Sequence, residues 1–251
     1  MFHKLFVKLL FTATLVILVS CSTTKKTDTS NPDEVYKEAL RLFNDEDWLE
    51  STNMFNVIRL QYPASQYADD AQYYLAEIDY KKGDYILAAY NYNRLRSSFP
   101  GSEYSKESLF KTAKCYYELS PPYDRDQDYT KKAIDAFNMF QRLYPNDNLY
   151  AEGSNYITEL REKLGNREFF TAELYRKMND PGASLVYYQS VIDDYPDTKF
   201  YEPAYYGKIE VLAIMKRKDE ALGIIDLYKK LFADGRFLNE VKKTEDALKI
   251  K

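Results

Sequence analysis

Residues 55–67 of the chain read FNVIRLQYPASQY. Three later segments align with this one without gaps: YNRLRSSFPGSEY (92–104), FNMFQRLYPNDNL (137–149) and YQSVIDDYPDTKF (188–200). Each copy opens on an aromatic residue and has a second aromatic residue directly before its proline. A degenerate fifth copy, IDLYKKLFADGRF (225–237), opens on isoleucine and has Ala233 at the proline position. Self-similarity with a period of about 20–50 residues is the sequence signature of a repeat protein.

The positions around these segments predict pairs of helices. A small residue stands twelve positions before each proline position: Ser51, Ala88, Ala133, Ser184 and Ala221. Small residues let two helices approach closely, and proline ends a helix because it lacks an N–H group and its ring clashes with the preceding turn. Pro63 and Pro100 are 37 residues apart, as are Pro196 and Ala233. This unit resembles the tetratricopeptide repeat (TPR), so we predict an all-α, TPR-like superhelical solenoid of five helix-turn-helix repeats.

The two middle intervals, of 45 and 51 residues, are longer than the basic unit. We assign the first excess to a loop at Ser120–Gln127 and the second to an inserted helix that ends at Gly165. Gly83 is predicted to form the turn within the second repeat. Helices are therefore expected near 33–43, 48–61, 66–81, 86–97, 103–118, 129–143, 150–163, 168–178, 182–194, 202–216, 219–231 and 238–248.

The N-terminus is predicted to direct the protein to a membrane. Residues 1–20 contain early lysines and an apolar run too short to span a bilayer, as in a signal peptide. Leu18-Val19-Ser20-Cys21 resembles the bacterial lipobox, which implies cleavage before Cys21 and lipidation of that residue. We therefore expect a signal peptide at 1–20, a lipidated flexible tether at 21–32 and a repeat domain at 33–251.

Composition argues against catalysis and cofactor binding. His3 is the single histidine, so cleavage of residues 1–20 would leave a protein without histidine and exclude histidine-based triads. Cys21 and Cys115 are the only cysteines, which excludes a four-cysteine metal site. The formal charge is −4, and no glycine-rich phosphate loop occurs. We expect no enzyme activity, no metal, no cofactor and no nucleic-acid partner. Cys115 is expected to be a buried structural thiol.

The repeat register also predicts a binding groove lined by the first helix of each repeat. Matching the repeats to the TPR pattern places a set of aromatic and charged residues on this inner face: Tyr36, Tyr73, Glu77, Tyr80, Phe110, Lys114 and Tyr117. Rings beside a few charges suit an extended peptide, because the rings bind side chains and the polar groups satisfy its backbone or terminal carboxylate. For each ring the alternative is a role in the core.

Three further features resemble the BamD family of outer membrane protein assembly lipoproteins. They are the Asp124-Arg125-Asp126-Gln127 loop, the inserted helix from Tyr150, and the Asp194-Tyr195-Pro196-Asp197-Thr198 segment. The resemblance implies a lipid-anchored protein of the outer membrane that faces the periplasm. It further implies that the C-terminal repeats bind the POTRA region of BamA, the barrel insertase, and that the N-terminal repeats receive unfolded outer membrane proteins.

Two other functions remain open from the sequence. The tyrosine-proline repeat is shared with periplasmic adaptors of the cell-division and cell-wall type, similar to CpoB. Another lipoprotein scaffold would also fit the lipobox and the repeats.

Overall fold

A computed structural model describes residues 29–250, which form two compact units that meet in the sequence at Tyr67 and Ala68. The first unit contains α1 (Pro32–Asn44) and α2 (Trp48–Gln61). The second contains α3 (Ala68–Lys81), α4 (Tyr85–Ser98), α5 (Ser105–Glu118), α6 (Asp128–Leu143), α7 (Tyr150–Lys177), α8 (Pro181–Asp194), α9 (Tyr201–Ile214), α10 (Lys218–Leu231) and α11 (Leu238–Ile250). No strand occurs between residues 29 and 250, so the predicted all-α class is confirmed.

The helices pair as the repeat register predicts. The five hairpins are α1/α2, α3/α4, α5/α6, α7/α8 and α9/α10, and α11 follows the last of them. The aromatic residue before the proline position is the C-cap of the second helix in every hairpin: Tyr62, Phe99, Tyr144, Tyr195 and Phe232. The residue before a proline disfavours helical backbone, which explains why four of these helices end there. Phe232 has the same conformation before Ala233, so the fifth repeat ends without proline.

One prediction about the helices is wrong. Gly165 does not end a helix, and the segments expected at 150–163 and 168–178 form the single 28-residue helix α7. A Cβ atom at position 165 would lie 2.9 Å from Thr198 Oγ1. The glycine therefore allows the loop after α8 to pack closely against α7, and it does so from within a continuous helix.

The turns inside four hairpins share one backbone conformation. Their middle residues, Glu46, Gly83, Asn179 and Lys216, are the residues with positive φ in the part of the chain that the structure describes, with angles of 59–79°. In each turn three backbone N–H groups donate to the last carbonyl groups of the preceding helix in the same pattern. The predicted Gly83 turn is confirmed. The third hairpin has the longer predicted loop, residues 119–127, in place of this turn.

The repeat positions supply the core. The residues eight positions before the proline position are all fully buried: Phe55, Tyr92, Phe137, Tyr188 and Ile225. The small residues at the helix crossings are fully buried as well. Two of them, Ser51 and Ser184, donate hydroxyl hydrogen bonds of 3.0 and 2.9 Å to carbonyl groups of the partner helix.

Cys115 is fully buried, as predicted, and burial raises the pKa of its thiol to about 12. None of the helices within residues 29–250 combines the length and the apolar character that a bilayer crossing requires.

Candidate functional site

A group of aromatic and lysine side chains comes together from α3, α5 and α7 in the second unit. Its members are Tyr80 in the last turn of α3, Lys111, Lys114 and Tyr117 on α5, and Tyr156 on α7. We call this group the aromatic–lysine cluster. Residues 111, 114 and 117 share one face of α5 because they recur every three positions. This face of α5 therefore contacts side chains of both α3 and α7.

Ring and cation contacts connect the cluster. The Lys111 ammonium lies 5.2 Å from the centre of the Tyr80 ring, and the Lys114 ammonium lies 5.8 Å from that of Tyr156. The rings of Tyr117 and Tyr156 have centres 4.6 Å apart. These side chains are partly buried. They therefore combine preformed apolar surface with polar groups that water still reaches.

Carboxylates balance the cations of the cluster. Glu77 Oε1 lies 2.9 Å from Lys111 Nζ, and Glu152 lies 3.5 Å from Lys114. The Tyr117 hydroxyl donates to Glu159 at 2.8 Å. Burial, followed by this hydrogen bond, raises the pKa of Tyr117 to about 12, and burial raises that of Tyr80 to about 12. A phenol with its ordinary pKa of about 10 is already protonated at neutral pH, and these shifts extend the protonated range to higher pH.

Glu77 has a structural role that its predicted groove position did not indicate. Its side chain is only 9% exposed and accepts a hydrogen bond from the Tyr92 hydroxyl as well as from Lys111. Burial and this carboxylate raise the pKa of Tyr92. The same Tyr-to-Glu bond recurs between Tyr188 and Glu173 in the fourth repeat. Glu77 thus links α3 to α4 and α5.

Tyr73 and Phe110 lie mainly in the core. Tyr73 is 7% exposed and its ring stacks on that of Tyr104 at 4.2 Å between centres. Phe110 is 3% exposed and packs edge-on against Phe137 and Phe140. They support the cluster from below and present little surface to a ligand.

Tyr36 belongs to the first unit, where it is half-buried. Its ring stacks on Tyr67 with centres 4.3 Å apart and meets Phe55 edge-on. Cys21, the predicted lipidation site, lies outside the described residues.

Sequence reasoning missed Lys111, Tyr156 and Glu159. The sequence does contain a signal for Lys111, since it stands three residues before Lys114 on the same helix face. Tyr156 and Glu159 were not, because they lie in the inserted half of α7, which has no counterpart in the other repeats. Only the packing of α7 on α5 brings them to the site.

A polar network in the fourth and fifth repeats was not predicted from the sequence. Arg176 Nη2 lies 2.7 Å from Glu173, and its Nη1 lies 3.2 Å from Glu210. The Tyr206 hydroxyl donates to Glu210 at 2.7 Å. These residues occupy the inner-face register of their repeats, so that face carries a charged network there.

The loop at 119–127 is held against α7. Gln127 is buried and donates to the carbonyl oxygens of Pro122 and Arg125 at 2.8 and 3.0 Å. Lys163 of α7 donates to the Ser120 hydroxyl at 2.8 Å, and Arg167 of α7 donates to the Arg125 carbonyl. The Asp124-Arg125-Asp126 tip is thus exposed on a firmly attached loop.

Known proteins resemble this chain over most of its length. The family model YfiO, described as an outer membrane lipoprotein, matches residues 28–231. Outer membrane protein assembly factor BamD of Rickettsia prowazekii is 24% identical over 187 residues, which are 74% of this chain and 74% of the relative. Its counterpart in Caulobacter vibrioides is 22% identical over 174 residues, which are 69% of this chain and 57% of the relative.

A solved tetratricopeptide repeat protein from Parabacteroides merdae has 14% identity and a TM-score of 0.39, covering 86% of this chain and 88% of its own. The family match extends from the first described turn through the five hairpins and includes the aromatic–lysine cluster. The chain therefore belongs to the YfiO family of outer membrane lipoproteins.

Proposed function

We propose that this protein is a non-catalytic lipoprotein subunit of the machinery that assembles β-barrel proteins in the outer membrane. The family match over residues 28–231 carries the proposal, and two relatives are named as assembly factors. In this role, lipidated Cys21 anchors the chain to the outer membrane and residues 22–32 tether the repeat domain on the periplasmic side. Anchoring raises the local concentration of partners at that membrane without new contacts.

The aromatic–lysine cluster is proposed to bind a segment of an unfolded barrel protein. Partly exposed rings of Tyr80, Tyr117 and Tyr156 offer apolar contact, and the ammonium groups of Lys111 and Lys114 can exchange their carboxylate partners for a ligand carboxylate or carbonyl. The cluster holds its rings in place before the ligand arrives, which limits the entropy lost on binding. Tyr73, Phe110 and Glu77 support this face from within the second unit. Tyr36 is proposed as an aromatic peptide contact of the first unit taken by itself.

The C-terminal repeats are proposed to bind the POTRA region of a BamA-like insertase. The network of Glu173, Arg176 and Glu210 gives these repeats a charged inner face, which suits recognition of a folded partner through complementary charges. Copurification after mild detergent extraction tests this assignment. Recovery of a large β-barrel protein with POTRA domains is expected, whereas recovery of cell-division or cell-wall enzymes alone would reject it.

Peptide binding is testable by fluorescence anisotropy. A labelled peptide with aromatic residues near a free C-terminal carboxylate should bind the full chain, and Tyr80→Ala with Tyr117→Ala should weaken binding by about 1 kcal/mol or more for each ring. Lys114→Met should weaken binding of the free acid more than that of the amidated peptide, since only the acid carries the charge.

Tyr206→Ala is the matched control, because this partly buried tyrosine also donates to a glutamate but belongs to the fifth repeat. The control should bind like the wild type. An unchanged dissociation constant in the Tyr80/Tyr117 double variant would refute the site.

A further inference from the structure

The second half of α7 and its C-cap, Met178, carry an exposed apolar stripe. Phe170, Leu174 and Met178 stand four residues apart and therefore share one face. They are 45%, 44% and 65% exposed. We call these residues the α7 stripe.

The third and fifth repeats bury the position that Leu174 occupies. The matching residue is Cys115 in the third repeat and Val211 in the fifth, and both are fully buried. Cys115 shares a buried cluster with Leu95 of α4, and Val211 shares one with Val191 of α8. In both cases the second helix of the preceding hairpin covers the position.

The length of α7 explains why Leu174 is left uncovered. The preceding hairpin packs on the first half of α7, where Leu160 is fully buried in a cluster with Phe137 and Phe140 of α6. Fourteen residues separate Leu160 from Leu174, which is about 21 Å along a helix at 1.5 Å per residue. Tyr123 of the loop lies beside the stripe, with its ring centre 5.4 Å from that of Phe170.

The first repeat shows that this face need not be apolar when it is exposed. At the positions that match Phe170 and Leu174, α1 carries Lys37 and Arg41, whose side chains are 72% and 56% exposed. Arg41 forms a 2.6 Å ion pair with Asp45, which leads into the turn after α1. The α1/α2 hairpin forms with polar residues at these positions. The fold of the α7/α8 hairpin therefore does not itself require apolar residues there. Contiguous exposed apolar surface commonly marks an interaction site.

We propose that the α7 stripe docks an amphipathic α-helix of a partner protein. That helix would take the place against α7 that α4 takes against α5 and α8 takes against α9. Lys177 is exposed on the same side and forms no ion pair with any residue between 29 and 250, so the docked helix carries a carboxylate beside its apolar stripe. The proposal uses none of the residues of the aromatic–lysine cluster and stands independently of peptide binding there.

A designed helix serves as the probe. It is a labelled amphipathic peptide with leucines on one face and glutamates along its edges, and its control has the same composition in scrambled order. Anisotropy with the full-length chain in mild detergent should show saturable binding of the amphipathic peptide only. Replacing the three residues of the α7 stripe by serine should weaken this binding at least about tenfold.

The matched control replaces three exposed apolar residues of α4, Ile86, Leu87 and Tyr90, by serine. This variant should bind the probe like the wild type. Lys177→Glu, an exposed change that leaves the core intact, should weaken binding and reverse its dependence on salt. Circular dichroism checks that all variants keep their helix content.

Several results would overturn the proposal. If the scrambled peptide binds as well as the amphipathic one, or if the α7 variant binds the probe as tightly as the wild type, the stripe does not dock a helix. Sedimentation that shows wild-type self-association lost in the α7 variant would make a second copy the occupant. Slowed hydrogen exchange at residues 170–178 in phosphatidylglycerol vesicles without peptide would make lipid the occupant.

Discussion

Backbone angles at single residues set the hairpin turns. Glu46, Gly83, Asn179 and Lys216 all have φ between 59 and 61° or, for the glycine, 79°. Left-handed backbone costs a residue with a Cβ atom roughly 1–2 kcal/mol, and asparagine tolerates it better than most. Glu46 and Lys216 accept this cost because three backbone hydrogen bonds in each turn hold the conformation.

Gly83→Ala should lower the free energy of unfolding by about 1 kcal/mol. An added Cβ would meet no atom within 4 Å, so the backbone angle alone causes the loss. Gly101→Ala is the matched control, since it also adds a Cβ into open space but has no positive φ. Urea titration followed by circular dichroism measures both. An equal effect in the two variants would show that the angle at Gly83 carries no cost.

Close approach between helices is set at the scale of the element. Gly207 of α9 faces the Tyr188 ring of α8 so closely that a Cβ atom would lie 2.3 Å from Tyr188 Cζ. Tyr188 is fully buried and its hydroxyl donates to Glu173, so the ring has no room to withdraw. Burial and this hydrogen bond raise the pKa of Tyr188, which keeps the phenol protonated.

Gly207→Ala should therefore destabilise the protein by about 1–3 kcal/mol through overpacking. Gly223→Ala, in the exposed interior of α10, meets no atom within 4 Å and should instead stabilise it by about 0.5–1 kcal/mol through helix propensity. Thermal unfolding measures both changes, and the melting temperature should fall in Gly207→Ala and rise in Gly223→Ala. A Gly207→Ala protein that melts with or above the wild type would contradict the tight α8–α9 contact.

The helix α7 is both the inserted helix and the first helix of the fourth hairpin, and two sets of contacts make this possible. Its first half packs on α6 through Leu160, and its second half pairs with α8. Gly165 between them receives Thr198, and Arg161 donates to the carboxylate of Asp197 and to the carbonyl of Asp194 at 2.8 Å. The DYPDT segment is thus fastened to α7, which links two of the features that resemble the family.

For the whole molecule, attachment to the membrane determines which partner proteins the chain can reach. Cys21→Ala should move the chain from the membrane fraction to the soluble periplasmic fraction, because no other lipid attachment is proposed. Each buried methylene of an acyl chain contributes about 0.8 kcal/mol to anchoring, so losing the acyl chains removes the anchor. Fractionation followed by immunoblotting measures the shift, and Ser22→Ala is the control. A Cys21→Ala chain that stays with membranes would contradict lipid anchoring.

The candidate site was predicted only in part, and the residues show why. The register assigned Tyr80, Lys114 and Tyr117 to one face, and the structure brings them to the aromatic–lysine cluster. It assigned Tyr73 and Phe110 to the same face, although both are buried. A repeat pattern gives the direction of a side chain from its own helix. It does not state how far the next hairpin covers that side chain.

The sequence by itself determined the all-α class, the five hairpins and the buried register, because helix periodicity, small crossing residues and helix-ending prolines are local properties that recur in each repeat. Tertiary structure decided the rest. The sequence predicts a helix end at Gly165, since glycine is a poor helix former, yet packing against Thr198 stabilises a continuous α7. The contacts of Tyr156 in the cluster and the exposure of Leu174 follow from that longer helix, since both depend on which helix lies opposite.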